Sequence, residues 1–348
     1  MGSIQRTRHA RYGGATMTIT VNYAGHAVVT DLGRSKGPVR GLSVYGALDQ
    51  ASARTANALV GNAPNAPLLE CLADGLTFTV DNDDVLIAVT GSPMDHASVD
   101  DEPLDMNTPI SVKAGQQVVL GNAVGGLRTY LAIRGSLAAP RLLGSCAPDT
   151  MLGFGLRLHD GDTIETLLPS PPLSDLFEGI PYINLHVPSP RFDDDILVPV
   201  LKGPDWSEFT DAGEILTTER YIVDPRSNHV GIRLSGTTPQ RSENRGEVLS
   251  RAVPVGAIEV PADNALLALQ RGRGITAGYP VLAVVSSCGQ SRVAQARPGQ
   301  QLRFSLCDIT SASAAARQQQ RTISDIATRV NALLHASWRV VPENEWTL

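Results

Sequence analysis

Short apolar runs broken by Gly, Pro, Asn and Asp dominate the chain, and runs of this kind rich in Val, Ile and Thr read as β-strands. The clearest are Met17–Tyr23, Val85–Thr90, Gln117–Gly121, Thr129–Arg134, Val230–Leu234, Ala257–Pro261, Val281–Ser286 and Gln301–Leu306. Helical patterns are few. One spans Asp49–Val60, with an acid at its start and Gly61-Asn62 to close it; the other spans Ser311–His335, with Ser311 as a cap. Alternation along the strands sorts their side chains by face. Val230, Ile232 and Leu234 face a core, and His229, Gly231 and Arg233 face away from it. Ile258 and Val260 face a core with Glu259 opposite, and Arg128, Tyr130, Ala132 and Arg134 share the face opposite Leu127, Thr129, Leu131 and Ile133. Each polar face lines either solvent or a pocket, and alternation does not choose between them.

A faint internal echo links Ala114-Gly115-Gln116-Gln117-Val118 to Pro298-Gly299-Gln300-Gln301-Leu302, with Asp160-Gly161-Asp162-Thr163-Ile164 as a looser copy. Each reads as a turn that launches a strand. Prolines at 169, 171, 172, 181, 188 and 190 crowd one segment, which cannot lie inside a sheet and so marks a boundary. The pattern predicts an extension over residues 1–16, a first β module over 17–175, a proline-rich linker over 176–189, a second β module over 190–315, and a helix and tail over 316–348. Short strands closing on themselves suggest barrels.

Composition agrees. The 348 residues are 42% hydrophobic and only 5% aromatic, and 32 glycines with 23 prolines suit many turns. The net charge of −6 argues against a nucleic-acid partner. Cys71, Cys146, Cys288 and Cys307 form no C-x-x-C pair, so buried free thiols in a reducing cytoplasm are expected rather than a zinc site. No apolar run approaches a membrane span, and the basic start MGSIQRTRHARYGG lacks the apolar stretch of a signal peptide. The expected setting is therefore cytoplasmic.

Several chemical motifs fail on context. Gly272-Arg273-Gly274-Ile275-Thr276-Ala277 fits G-x-G-x-x-G/A, but a dinucleotide site needs a helix after the loop, and here Tyr279-Pro280 opens another strand-like run. Asp81-Asn82-Asp83-Asp84 begins like a calcium loop, yet Val85 occupies a ligand position; it reads as a turn, as does Asp193-Asp194-Asp195. The histidines show no metal-ligand spacing, and neither a nucleophile elbow nor a P-loop occurs.

What the chain does resemble is the biotin-dependent carboxyltransferase A/B family, which includes the C subunit of bacterial 5-oxoprolinase, also known as allophanate hydrolase subunit 2, and the urea carboxylase carboxyltransferase domain. VVTDLGR (28–34), YGALDQ (45–50), LVGN (59–62), AVTG (88–91), GLRTYLAIRG (126–135) and LLGS (142–145) match its motifs in order. KGPDWSEFT (202–210), SNHVGIRLSG (227–236), VGAIEVPADN (255–264), GRGITAGYPVLAVV (272–285) and QARPGQQLRF (295–304) continue the series. The resemblance implies a mainly β fold of two cyclophilin-like β-barrel modules with few short helices. It also implies a smaller subunit-B-like partner of the carboxyltransferase C/D type and chemistry on a small amide or lactam carbonyl. The chain carries no M-K-M biotin-attachment motif. It is expected to bind no cofactor itself: biotin would arrive on a partner, and ATP would be bound by another subunit or surface.

The sequence departs from the family in the second module. Counting back from Tyr279-Pro280, the family's loop Asp and Gln fall on Gly272 and Gly274, and the Gln of G-A-I-Q-V-P is Glu259. The family's S-D-R-M-G-Y-R-L becomes SNHVGIRL, with Asn228, His229 and Ile232 at the changed positions. A glycine cannot replace a carboxylate that orients or deprotonates an amide. The resemblance therefore leaves three functions open: a divergent 5-oxoprolinase-like hydrolase or carboxyltransferase subunit, a non-catalytic binding or regulatory partner, and an enzyme with a rebuilt pocket. The candidate catalytic residues are Glu259 and His229, and the candidate substrate-binding residues are Arg233, Thr276, Tyr279, Arg128 and Tyr130. Arg271 and Arg273 are placed on the loop rim. The residues from His229 to Tyr279 are expected to converge on one concavity.

Overall fold

A computed structural model describes residues 16–168, 185, 187, 192, 195–242, 248–261 and 265–339. The expectations for residues 1–15, most of the proline-crowded segment and the tail from 340 lie outside the described residues.

The apolar runs of residues 17–165 form two six-stranded sheets. In one, Thr18–Tyr23 sits between Thr163–Glu165 and Thr77–Val80. In the other, Arg128–Ile133 sits between Leu68–Leu72 and Val85–Gly91. Alternation sends Ile19, Val21 and Phe78 from the first sheet, and Leu69, Ile87, Leu131 and Ile133 from the second, into one shared core. The second module is a closed barrel, with strands in the order 195–202, 281–285, 257–259, 266–269, 231–235, 221–223 and 301–306. Parallel pairing of Asp195–Lys202 with Gln301–Leu306 closes the ring. Closure removes the sheet edges, and Val198, Ile232, Leu234, Ile258 and Phe304 fill the interior. The first module is thus two sheets around a common core, whereas the barrel expectation holds in full for the second.

The internal echo is a shared turn. Gly115, Gly161 and Gly299 have φ of 87°, 88° and 87°. In each turn the following Gln116, Asp162 or Gln300 side chain accepts the N–H of Lys113, His159 or Arg297 at 2.8 Å.

Helix α1 (Gln50–Leu59) is capped by Asp49, whose carboxylate accepts the Ser52 N–H. Two short helices, α2 (Ala212–Thr218) and α3 (Ser287–Gln295), carry no apolar stripe that the sequence pattern would reveal. The long α4 (Ile309–Arg339) leaves the barrel and crosses back to the first module. There Ile323, Ile326, Val330 and Leu334 bury against Ala53, Ala56 and Leu59 of α1. Among the described residues no helix is long and apolar enough to cross a membrane.

Candidate functional site

The strand Arg128–Ile133 was expected to turn one face, bearing Arg128 and Tyr130, toward solvent or a pocket; the structure buries that face under α1 and the end of α3. Tyr130 is fully buried. Its hydroxyl accepts the Asp49 N–H at 3.0 Å and lies beside the Glu70 carboxylate. Burial, then the charges of Glu70 and Asp49, holds its phenol well above the ordinary range. Arg128 is 5% exposed; it donates to the carbonyl of Ala294 at the end of α3, with Glu70 Oε1 3.7 Å from its Nε. Arg128 therefore ties the two modules together, whereas Tyr130 is held within the first module by Asp49 and Glu70. The physical reason is that α1 lies across this face and the end of α3 meets Arg128, with α4 packed on the outside of α1.

Between them and solvent lies the hub of the junction, Gln295. Its Oε1 accepts the Leu127 and Arg128 N–H groups at 3.0 and 2.8 Å, and its Nε2 donates to Asp49 Oδ2 at 2.9 Å and to the Arg128 carbonyl at 3.0 Å. Every hydrogen-bonding group of this buried amide points across the module boundary, which fixes the relative placement of the two units. Gln295 and Asp49 open onto a cavity of about 550 Å³ between the modules, within the range of ligand pockets. Ser52 and Thr90 continue this polar wall; Thr90 donates to the Ser52 carbonyl at 2.8 Å. The opposite wall is Gln319, Thr322, Ile323 and Ile326 of α4.

Asp49, Thr90 and Gln295 each stand in a stretch that carries the resemblance (YGALDQ, AVTG and QARPGQQ), yet none was a candidate. Asp49 reads as a helix cap, which it is, and the cap role concealed the second role of its other oxygen.

His229 occupies a separate part of the junction. Its Nε2 hydrogen-bonds Thr150 Oγ1 at 3.1 Å, and its ring lies 5.5 Å from that of Tyr45, so both partners belong to the first module. Half-burial and the nearby Arg128 charge lower its pKa against a smaller upward pull from Asp149. Gly272 packs on it. A Cβ at Gly272 would lie 2.6 Å from His229 Cδ2 and 2.8 Å from the His229 carbonyl oxygen, so the glycine is the close-approach residue of this arrangement. Neither neighbouring arginine is a free rim charge. Arg271 donates to the carbonyls of Tyr45 and Leu32 at 2.8 and 2.7 Å, and Arg273 donates twice to the Val253 carbonyl. The 271–274 loop is therefore a clasp onto the first module as much as a part of the barrel.

The convergence expected around Glu259 does not form. Arg233, Leu267 and Glu259 sit opposite one another across three barrel strands, with Leu267 between the two charged side chains. Arg233 is half-buried on the Asp224 side, while Glu259 is 2% exposed. Thr276 and Tyr279 are exposed, Thr276 on a ribbon paired with Arg251–Ala252. Glu259 Oε1 is buried and has no hydrogen-bond partner among the described residues. Burial pushes its carboxyl up to about 7, a value suited to proton exchange at neutral pH. Neither Glu259 nor His229 lines the cavity.

Comparison with known proteins completes the picture. The carboxyltransferase domain, subdomain A and B, matches residues 40–306. The chain belongs to the carboxyltransferase A/B family. It is 31% identical over 311 residues to the 5-oxoprolinase C subunit of Escherichia coli, covering 88% of this chain and 96% of that protein. It is 28% identical over 287 residues to urea amidolyase of Lachancea kluyveri, covering 76% of this chain but 15% of that much longer protein. Among solved structures, TTHA0988 superposes with a TM-score of 0.73 at 30% identity, covering 83% of this chain and 56% of that one. The K. lactis urea amidolyase superposes with a TM-score of 0.80 at 25% identity, covering 91% of this chain and 20% of that one. The match thus takes in nearly all of the Escherichia coli protein but only part of the solved chains. The family-matched residues contain the polar wall of the cavity; α4 lies beyond them.

Proposed function

We propose that this chain is the carboxyltransferase A/B component of an enzyme acting on a small amide or lactam, and that it works with a smaller partner of the carboxyltransferase C/D type, as its likeness to the 5-oxoprolinase C subunit suggests. The observation that carries the reading is the polar wall of Asp49, Ser52, Thr90 and Gln295 in a cavity between the modules. An amide offers an N–H donor and a carbonyl acceptor. Asp49 can take the N–H; the hydroxyl protons of Ser52 and Thr90 go to Asp49 and to the Ser52 carbonyl, so these two side chains hold the carboxylate in place. A buried, pre-aimed acceptor of this kind fixes the orientation of an amide N–H more strictly than water does. Arg128 and Tyr130 act as positioning residues, holding Asp49 and Gln295 from behind. ATP, or biotin carried on a partner, would be brought from outside this chain.

Gly272 and Gly274, where relatives are expected to carry Asp and Gln, favour a second reading: a binding subunit without turnover. Co-expression with the C/D-type partner, followed by phosphate release from ATP across a panel of lactams and amides, separates the two. We expect the isolated chain neither to hydrolyse 5-oxoproline nor to carboxylate urea, and the complex to turn over one member of the panel. Asp49→Asn is expected to lower that turnover about 10²-fold, the cost of losing the positioning of the reacting amide. A complex that binds panel members but turns over none would leave the binding reading in place.

A further inference from the structure

The two walls of the cavity differ in chemistry and in origin. The inner wall of Asp49, Thr90 and Gln295 is buried, polar and inside the family-matched span. The outer wall, contributed by α4, alternates Gln319 and Thr322 with Ile323 and Ile326 and lies outside that span. The helix is fixed there by its own apolar face, by Arg54 donating to Gln320 at 2.8 Å, and by Arg329 donating to the Leu185 carbonyl at 3.1 Å. It is therefore a built wall rather than a trailing tail.

Charge and hydrogen-bond capacity narrow the occupant. The charged lining residues are Asp49, Asp195 and Arg292, and Arg292 is exposed at the mouth, donating to the Leu197 carbonyl at 2.7 Å. No buried cation waits for a carboxylate among the described lining residues. An ionised carboxylate accepts about four hydrogen bonds. Asp49 receives three: the Ser52 N–H at 3.1 Å, the Ser52 hydroxyl at 2.7 Å and the Gln295 amide at 2.9 Å. One position on Oδ1 remains for a ligand N–H. Opposite it, Ile323, Ile326, Ile196 and Leu197 offer apolar surface, and the volume of about 550 Å³ suits a ligand much larger than a single small lactam ring.

We infer that α4 makes this cavity selective for an uncharged amphipathic amide, urea or lactam. Its N–H head sits on Asp49, and its apolar body lies between Ile196 and the isoleucines of α4. The inference rests on the cavity being the ligand site, and it adds the ligand class and the element that sets it.

Cys288, half-buried in the cavity wall with its Sγ 3.8 Å from Gln319 Oε1, reports occupancy. The full chain is treated with N-ethylmaleimide, with and without phenylurea, hexanamide or 5-oxoproline, and Cys288 modification is followed by peptide mass spectrometry. Phenylurea and hexanamide are expected to slow the modification at least ~5-fold, and 5-oxoproline less. Thr322→Trp, at an exposed position of the α4 wall, should remove that ligand-dependent ratio; Gln319→Trp should do the same should Thr322→Trp lose its cooperative melting transition. Absence of protection by both amphipathic probes, or protection that survives in the folded variants, overturns the inference. Stronger protection by 5-oxoproline overturns the ligand class while leaving the proposed function standing. Protection by phenylurea without turnover by the complex overturns the enzymatic reading and not this one.

Discussion

In the first module the Asp31 carboxylate is fully buried and accepts from the Gly33 N–H at 2.8 Å, the Ser145 hydroxyl at 2.6 Å and the Cys146 N–H at 2.9 Å. In the barrel the Glu259 carboxylate is almost as buried, yet its Oε1 has no partner among the described residues. The same contrast extends to Arg34, also fully buried, which donates to Asp149 at 2.8 Å and to the Ala147 carbonyl at 2.6 Å between the rings of Tyr45 and Phe154. Partnered charges organise a structure, whereas an unpartnered one raises the free energy of the ionised form and shifts its pKa instead. The first module uses buried charge to lock loops, and the barrel holds one in a state that can take up and release a proton.

The largest expected effect comes from breaking the locked side. Arg34→Ala removes three hydrogen bonds and a stacked guanidinium and leaves Asp149 buried with only the Met151 and Leu152 N–H groups. Removing one partner of a buried ion pair costs about 3–5 kcal/mol. Urea unfolding at neutral pH should show a loss of that size, and a loss under 1 kcal/mol would mean the pair is not what locks these loops.

This pairing also marks the limit of what the sequence made legible. Strand positions and their core faces were readable because period-2 alternation acts locally; Ile232, Leu234, Ile258, Leu131 and Ile133 all lie in cores. The family and its order of motifs were readable as well. The partners were not. Arg128 and Tyr130 were placed on an open face because nothing in a strand records which helix will lie across it; here α1 covers it and Ala294 at the end of α3 meets Arg128. Gln295 was missed because its four hydrogen bonds reach residues 49, 127 and 128, and α3 was missed because its polar sequence has Gly289 inside. Asp49, Gln295 and Gly272 each serve a contact between modules, and such contacts leave no periodic signal.

A middle-sized effect sharpens the comparison from the barrel side. Burial holds Glu259 at about 7, against an ordinary value of 4.5. Between those values the folded chain keeps a proton that the unfolded chain has released, so stability falls as pH rises through this window and is level above it. Glu259→Gln, which installs the family's expected residue, removes the penalty. The variant should be more stable than the parent by on the order of 1–3 kcal/mol at pH 8 and nearly equal at pH 4. Equal stability at both pH values would show that the native fold satisfies Glu259 and would dissolve the contrast with Asp31.

The smallest effect concerns His229, the other titrating group proposed for this barrel. Burial and the Arg128 charge lower its pKa below 6.5, so it stays neutral in the fold at a pH where the unfolded chain has begun to bind a proton. The unfolded state then holds more protons, and the contribution of His229 to stability is present above 6.5 and lost as pH falls through the window below it. Its slope is opposite in sign to that of Glu259, and the two overlap just below pH 6.5. The ring is half-buried and its partner Thr150 is exposed, so solvent screening keeps the effect small. The parent chain should therefore hide this slope beneath that of Glu259. Glu259→Gln should expose it as a gentle rise in stability toward neutral pH, and adding His229→Gln should flatten that rise while leaving the melting transition cooperative. A rise that persists in the double variant would place the titrating group elsewhere in the barrel and leave His229 with only its contacts to Tyr45, Thr150 and Gly272.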